Sequence, residues 1–212
     1  MVTKEQILEW LQHFTDEIEK NKDYLTELDA AIGDADHGIN MDRGFKKVIS
    51  QLPTVADKDI GSLLKTVSMT LISSVGGASG PLYGTLFLRA STAVTGKEEL
   101  SDRDLLAMLQ AGLDGVVQRG KAQLGDKTML DVLSPAIAAF QQAISEGKNS
   151  IQGMQEAVAA GERGMGDTTP MLAKKGRASY LGERSVGHQD PGATSSYLML
   201  KSLYEVLKSS DA

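Results

Sequence analysis

The spacing of apolar residues is the feature of this sequence that most restricts its fold. Apolar residues recur at intervals of three and four along most of the chain, which places them on one face of a helix. The clearest series are Ile7, Leu11, Phe14 and Ile18, and then Leu130, Leu133, Ile137, Phe140 and Ile144. No stretch shows the two-residue alternation of a strand, and the aromatic content of 5% is too low for a typical β-sandwich core. The sequence therefore predicts an all-α protein.

Glycine, proline and aspartate divide the helical pattern into eight segments. The chain of 212 residues contains no linker, repeat or low-complexity tract, so we expect a single domain over 1–212. The predicted helices lie near 3–29, 39–51, 58–74, 79–95, 101–119, 128–146, 150–175 (broken near Pro170) and 191–209.

Five residues carry signals for helix N-termini. Thr3, Ser101 and Thr128 are each followed three residues later by an acidic or amide side chain, which is the pattern of a capping box. Ser79 and Asp190 each precede a proline in the first helical turn, so we predict that both are N-caps. These signals indicate where helices begin.

The connections between the eight segments alternate in character. Those after the second, fourth and sixth segments read QLPTVADKD, TGKEEL and SEGKNS and are typical of solvated turns. Those after the first, third, fifth and seventh hold most of the unusual chemistry and read LDAAIGDADHGIN, SSVGGASGP, RGKAQLGDKTM and GRASYLGERSVGHQDPG. In an antiparallel up-and-down bundle, every odd-to-even connection lies at the same end. We therefore expect the four unusual loops to share one mouth.

The first of these loops carries Asp29, Asp34 and Asp36. Three carboxylates within eight residues repel one another unless cations neutralise them. Hard oxygen ligands in a chain without cysteine favour Mg²⁺ or Ca²⁺ over zinc. An EF-hand is excluded because Ile39 stands where its glycine is required and Phe45 where its bidentate glutamate is required. Plain turn and cap roles for the aspartates remain the alternative.

The second and third loops are rich in glycine. The run 76–81 opens a helix, and backbone N–H groups at such a start bind phosphate well, although close helix packing is the alternative. The run 115–121, GVVQRGK, is close to a P-loop, but Ala122 occupies the Ser/Thr position and a helical stripe precedes it. A Walker site is therefore rejected, and Lys121 and Lys127 are interpreted as solvated surface charges.

The fourth loop contains Arg177, Arg184, His188 and Asp190. The planar fork of Arg177 suits phosphate oxygens, whereas a single histidine more often makes a structural hydrogen bond, which is our interpretation of His188. Carboxylates, a glycine-rich helix start and basic groups at one mouth together predict a metal–polyphosphate site. The residues by themselves do not identify the nucleotide or the acceptor.

Charge and composition narrow the functional class. The formal charge of −6 argues against a nucleic-acid partner, which would need a basic face. No apolar run is long enough to span a membrane, and the N-terminus lacks the apolar core of a signal peptide. The absence of cysteine excludes a disulfide framework and fits a reducing compartment. We expect a cytoplasmic protein.

The four loops together resemble the L subunits of phosphoenolpyruvate-dependent dihydroxyacetone kinases, which are the ADP-binding subunits of enzymes coupled to the phosphotransferase system. The resemblance extends in order over most of the chain, but no family motif marks 146–173. It rests on IGDADHG at 32–38, SVGGASGPLYG at 74–84, RGKA at 119–122, GDKTM at 125–129, KGRASYLGERS at 175–185 and GHQDPG at 187–192.

The resemblance implies an eight-helix antiparallel barrel with the nucleotide bound at one end. It implies that Asp29, Asp34 and Asp36 hold two Mg²⁺ ions at the phosphates of ADP and that Arg177 acts with them on phosphate. It also implies that Asn40 lies near phosphate. The nucleotide-binding set implied in this way is His37, Gly38, Ile39, Asn40, Ala78, Ser79, Gly120 and Met129 (flanking adenine), Arg177, Asp190, Pro191 and Gly192.

The same resemblance implies a phosphoryl relay with separate partners. ADP stays bound as a coenzyme, a phosphohistidine donor (the M subunit) converts it to ATP, and the phosphoryl group passes to dihydroxyacetone held on a K subunit. A homodimer and a transcriptional regulator are further expected partners. Two alternatives remain open: a kinase subunit that exchanges free ATP and acts on another acceptor, and a non-catalytic module whose nucleotide state controls a regulator.

Overall fold

The computed structural model describes residues 1–210, and helices dominate this part of the chain. Two 3₁₀ segments lie at Leu52–Thr54 and Arg177–Ser185, and two short strands, β1 and β2, at Val2–Thr3 and Glu99–Leu100. The α-helices are α1 (Lys4–Lys20), α2 (Lys22–Ile32), α3 (His37–Gln51), α4 (Ile60–Ser74), α5 (Ser79–Ala93), α6 (Asp102–Gly120), α7 (Leu130–Ser145), α8 (Ser150–Asp167) and α9 (Pro191–Ser209).

The helices form a closed antiparallel barrel, as predicted. Helices α1 and α2 together occupy the first of eight positions, α3 to α9 follow in order, and α9 packs back against α1. Aromatic rings fill part of the interior, with Phe14 edge-on to Phe45 at a centroid distance of 4.6 Å. The indole Nε1 of Trp10 donates to the carbonyl of Met199 at 3.0 Å, which joins α1 to α9 at the closure.

Two of the predicted helical segments have the wrong extent. The first, 3–29, is divided at Asn21, whose backbone leaves helical geometry (φ −99°, ψ 8°) while its side-chain amide donates to the carbonyl of Glu17. The apolar stripe continues through this break, so periodicity does not detect it. The seventh, 150–175, ends at Asp167, because Pro170 disfavours helical backbone in the residue before it and cannot donate to a helix.

Helices α7 and α8 pack closely through small residues. A Cβ on Gly164 would lie 2.1 Å from the carbonyl oxygen of Asp131, so only glycine fits at this crossing. This contact gives a structural role to the 146–173 stretch, in which the sequence shows no functional motif.

The N-terminus is held by a strand pair that the sequence did not predict. Val2 pairs with Leu100 and Thr3 with Glu99 in antiparallel register, which ties the start of the chain to the α5–α6 connection. Within 1–210, none of the helices combines the length and the apolar character needed to cross a bilayer.

The predicted capping residues have mixed outcomes. Thr3 and Ser101 form capping boxes and Asp190 caps α9, as predicted. Ser79 is not an N-cap, because α5 begins at Ser79 itself and Ala78 precedes it. Thr128 lies one residue before the N-cap of α7, but part of the predicted box forms: its amide donates to Asp131 Oδ2 at 2.8 Å, and its hydroxyl accepts from the amide of Leu130 at 3.1 Å.

Candidate functional site

All four unusual loops meet at one end of the barrel, which confirms the prediction from helix parity. They surround a cavity of about 560 Å³. We call this end the mouth. The segments that line the cavity are 29–37, 76–83, 116–130, 175–178 and 190–192, each in part.

The acidic cluster lies on one side of the mouth. One oxygen from each of Asp29, Asp34 and Asp36 lies within 4.8 Å of the others. Asp29, buried near the end of α2, accepts through Oδ2 from the amides of Asp36 (2.8 Å) and His37 (3.1 Å). These bonds fold the loop back so that three negative charges converge. A Cβ on Gly33 would lie 2.0 Å from Asp29 Oδ1, so glycine is required in this turn.

The fourth loop arches over the first. Arg177 Nε lies 3.0 Å from Asp34 Oδ2, although the two residues are far apart in the chain. The Arg177 side chain is largely exposed and that of Asp34 is partly exposed, so solvent screens this ion pair and it adds little stability. Its main consequence is positional, since it brings a guanidinium to the edge of the acidic cluster.

A buried hydrogen-bond chain connects α3, α5 and α9 beneath the mouth. His37 Nδ1 lies 3.0 Å from Ser79 Oγ, and Nε2 lies 2.9 Å from Ser195 Oγ. The hydroxyl of Tyr83 lies 2.7 Å from Ser195 Oγ. Burial lowers the pKa of His37 to about 4, against the opposing influence of Asp29 and Asp36, so the imidazole is neutral at neutral pH. The ring therefore orients Ser79 as a hydrogen-bonding group and not as a charge.

The start of α5 faces the cavity without a side-chain cap. Its N-cap, Ala78, has a methyl side chain that accepts no hydrogen bond, and the preceding Gly77 has a left-handed backbone (φ +65°) with open space around it. Amides at a helix start carry partial positive charge, so this end of α5 suits an anion.

Residues 31–205 match the model of the DAK2 domain. The chain belongs to this family.

Relatives of this DAK2 domain resemble it over its whole length. The ADP-binding subunit DhaL of the PEP-dependent dihydroxyacetone kinase of Escherichia coli K12 is 50% identical over 202 residues, which are 95% of this chain and 96% of the relative. DhaL of the PTS-dependent dihydroxyacetone kinase of Lactococcus lactis is 43% identical over 207 residues, or 98% of this chain and all of the relative. The crystal structure of the dihydroxyacetone kinase of C. freundii in its native form has a TM-score of 0.71 at 25% identity and covers 94% of this chain but 34% of that longer chain.

Most of the site residues expected in this DAK2 domain line the cavity, but three do not. Gly38 packs against α2, where a Cβ would lie 2.0 Å from the carbonyl oxygen of Lys22. Ile39 is 50% exposed on α3. Asn40 is buried, and its Oδ1 accepts from Arg43 Nη2 at 2.7 Å. The expected residues that line the cavity are Asp29, Asp34, Asp36, His37, Ala78, Ser79, Gly120, Met129, Arg177, Asp190, Pro191 and Gly192.

The interpretation of Lys127 as a solvated charge is wrong. Lys121 is exposed as expected, but Lys127 is only 1% exposed and its ammonium group is surrounded by backbone carbonyls. Burial lowers the pKa of Lys127, and the nearby Asp190 opposes this shift. No pattern in the sequence distinguishes the two lysines, because the carbonyl partners lie far along the chain.

Asp190 combines a capping role with unusual electrostatics. Its Oδ2 accepts from the amide of Ala193 at 2.7 Å at the start of α9. Burial raises the pKa of Asp190 to about 7, although the Ala193 amide and the Lys127 ammonium favour its ionised form. At neutral pH, Asp190 is therefore protonated in part of the molecules and adds less than one full negative charge to the cavity.

The donor set of the mouth fits Mg²⁺ and a polyphosphate. Three carboxylates supply the hard oxygen ligands that Mg²⁺ prefers, and their mutual repulsion is relieved only by cations. Apolar side chains that line the cavity, among them Leu82, Val116 and Met129, offer a surface for a base.

Proposed function

We propose that this DAK2 domain is the ADP-binding subunit of a phosphoenolpyruvate-dependent dihydroxyacetone kinase. It keeps Mg-ADP as a coenzyme, receives a phosphoryl group from a phosphohistidine donor subunit and passes it to dihydroxyacetone on a separate K subunit, giving dihydroxyacetone phosphate. The observation that carries the proposal is the meeting of the acidic cluster and the uncapped start of α5 in one cavity. The whole-length similarity to ADP-binding DhaL subunits supports it.

Asp29, Asp34 and Asp36 would hold Mg²⁺, and the proposal assigns two ions to this cluster. Asp29 uses Oδ2 for backbone amides and keeps Oδ1 for a metal, whereas Asp34 and Asp36 extend toward the open cavity. When bound, Mg²⁺ neutralises the phosphate oxygens and stabilises the charge of the transferring phosphoryl group.

The chain's own residues then bind and orient the nucleotide. The backbone amides at the start of α5 donate to phosphate oxygens, and Ser79 is oriented for the same task by His37. Arg177 adds a positive charge from the fourth loop. Gly120 and Met129 border the apolar wall where the adenine packs.

Two transfers follow at the same phosphate. In the first, the P–N bond of the donor's phosphohistidine breaks and a P–O bond to the terminal oxygen of ADP forms. In the second, a hydroxyl oxygen of dihydroxyacetone forms a bond to the terminal phosphorus, the bond from that phosphorus to the bridging oxygen of ADP breaks, the hydroxyl proton passes to solvent, and ADP remains bound. The donor and the acceptor subunit must dock at the mouth in turn, since the cavity opens there.

The experiment is a reconstituted assay with donor, K subunit and either wild-type protein or Asp34→Asn. We expect activity to fall by about 100-fold or more, because one of the three carboxylates that would hold Mg²⁺ at the phosphates is lost while the shape of the site is kept. Asp57→Asn is the matched control, since Asp57 is exposed and far from the mouth. Unchanged turnover of Asp34→Asn with ADP bound would exclude the proposed metal role.

Retention of ADP separates the coenzyme role from a kinase that exchanges free ATP. The coenzyme role predicts that ADP stays with the purified protein through dialysis in Mg²⁺ buffer, as mass spectrometry can show. A homodimer, a transcriptional regulator as partner and a cytoplasmic location also remain part of the proposal. Light scattering, ADP-dependent binding to the regulator and cell fractionation test them.

A further inference from the structure

The ammonium group of Lys127 is coordinated by four backbone carbonyls of the α8–α9 connection, residues 168–190, which contains most of the fourth loop. Lys127 belongs to the α6–α7 connection and is almost fully buried. No carboxylate of residues 1–210 forms an ion pair with it. Nζ lies within hydrogen-bond distance of the carbonyl oxygens of Ser185 (2.7 Å), Met171 (3.2 Å), Thr169 (3.4 Å) and His188, which share its three N–H groups.

These four carbonyls come from the two ends of one segment. Thr169 and Met171 lie at the start of 168–190, and Ser185 and His188 lie at its end. Carbonyl oxygens that converge in this way repel one another unless a cation lies among them. The ammonium therefore holds together the two ends of the 168–190 loop, 168–173 and 185–190, which we call its neck. Arg177 lies in the part of the loop between these two ends.

Other hydrogen bonds brace the same neck. The amide of Gly187 donates to the carbonyl of Thr169 at 2.8 Å. The amide of Asp190 donates to Thr168 Oγ1 at 3.0 Å, and that of Ala173 to Ser185 Oγ at 2.9 Å. Each of these bonds joins two residues of the neck, whereas Lys127 contacts four of its carbonyls at once.

The backbone of Lys127 also indicates a constrained position. Its φ is +63°, a left-handed conformation that lysine rarely adopts. This turn directs the ammonium group into the fourth loop, and Lys127 borders the cavity together with Thr128 and Met129. Lys127 thus couples the third mouth loop to the fourth.

We propose that Lys127 is a positioning residue that clamps the neck of the 168–190 loop and so holds Arg177 and Asp190 at the nucleotide cavity. The proposal rests on the proposed function for the identity of the ligand. The four carbonyls form a site for a monovalent cation, and the ammonium group of Lys127 is that cation. The clamp slows release of ADP by keeping the fourth loop closed over the mouth.

The first test compares Lys127→Met with Lys121→Met, its exposed neighbour in the same connection. We expect a fluorescent ADP analogue to dissociate about 10- to 100-fold faster from Lys127→Met, because hydrogen bonds to a buried charge are lost. Lys121→Met should release it at the wild-type rate. Trypsin should also cut the ADP-free variant faster at Lys174, Lys175, Arg177 and Arg184, with helicity unchanged. Equal dissociation rates for both variants and the wild type would overturn the clamp.

A chemical rescue separates the clamp from a general loss of packing. In Lys127→Ala, methylammonium or ammonium ions should enter the carbonyl cage and slow ADP release toward the wild-type rate. Tetramethylammonium, which has no N–H donor, should not. Lack of rescue by methylammonium in a folded variant would contradict the proposed cation site.

Hydrogen exchange on the wild-type protein decides the case if the variants do not fold. The clamp requires that the amides of Ala173 and Gly187 are protected even without ADP, whereas exchange at the rate of an open chain would overturn it. Failure of the proposed function has a different signature. If the wild type transfers no phosphate but Lys127→Met still speeds release of the ADP analogue, the clamp stands and the kinase role does not.

Discussion

The two ends of the barrel begin their helices in different ways. We call the end opposite the mouth the distal end. Each helix that starts there, namely α1, α4, α6 and α8, has an N-cap side chain that accepts from a backbone amide; the caps are Thr3, Asp59, Ser101 and Asn149. At the mouth, among the described residues, only α9 has such a cap, whereas the N-caps of α3, α5 and α7 make no such bond.

The difference teaches that the two ends serve different purposes. A side-chain cap stabilises a helix by about 1 kcal/mol and occupies an amide that would otherwise be free. At the distal end, all four helix starts use this stabilisation. At the mouth, Asp29 and Thr128 accept from the first amides of α3 and α7 from outside the N-cap positions, whereas the start of α5 keeps its amides and positive helix end available to an anionic ligand. Stability at the mouth is therefore expected to come from bound ligand.

The largest expected effect that tests this comparison is metal removal. Chelation of Mg²⁺ leaves three carboxylates facing the phosphates of ADP. ADP should therefore dissociate, and the folded protein should lose the stability that bound ADP contributes. At ADP a hundredfold above Kd, this stabilisation is about 2.7 kcal/mol, which corresponds to a fall in Tm of about 5–10 °C. Hydrogen exchange should rise in the mouth loops and stay constant in 94–101 at the distal end. Equal melting temperatures with and without chelator would break the comparison.

A new charge at the start of α5 is expected to have the next largest effect. Ala78 is exposed and lines the cavity, so Ala78→Asp fits sterically but places a carboxylate beside the phosphates. ADP affinity should fall by about tenfold or more through charge repulsion. Ala78→Asn is the matched neutral control, and calorimetric titration measures both. Equal affinities for the two variants would show that phosphate does not bind at this helix start.

A smaller effect is expected from removing a cap at the distal end. Ser101→Ala removes one half of the capping box with Asp104. The free energy of unfolding should fall by about 1 kcal/mol, and Tm by about 2–4 °C, with ADP affinity unchanged. Ser101→Thr keeps the hydroxyl and serves as control. A loss of ADP affinity in Ser101→Ala would mean that the two ends are coupled.

The last prediction is a pH dependence from Asp190, which tests the mouth in the ADP-free protein. Its folded-state pKa is about 7 against an unfolded value of 3.8, so between these values the folded protein holds a proton that the unfolded chain has lost. The resulting contribution to stability is fully present below pH 3.8 and is lost as pH rises to the folded pKa of about 7. Asp190→Asn can still cap α9, and in ADP-free protein it should remove this part of the decline between about pH 4 and 7. Parallel stability curves for the two proteins would contradict the shifted pKa.

Local patterns in the sequence predicted much of the fold. The three- and four-residue spacing indicated the helices because burying one apolar face is the main reason that a helix is stable in a protein. The capping boxes at Thr3 and Ser101 were recognisable because the partners lie within one turn. Asn149 with Gln152 shows the same pattern and was missed, although its signal is present in the sequence.

The site was only partly predictable. Helix parity was enough to bring the four loops to one mouth, and the spacing of Asp29, Asp34 and Asp36 indicated their cluster. The functions of Lys127 and Ser79 could not be predicted from local patterns. Lys127 has partners more than 40 positions away, and Ser79 bonds to His37 on another helix instead of capping its own.

The sequence by itself determined the helices, the end of the barrel where the four unusual loops meet and the grouping of three carboxylates in the first of them, because these depend on periodicity and on residues close in the chain. The tertiary structure decided which lysine is buried, which carboxyl group has a raised pKa and which helix starts stay uncapped. These properties depend on desolvation and on hydrogen bonds between distant segments, and both arise only when the barrel closes.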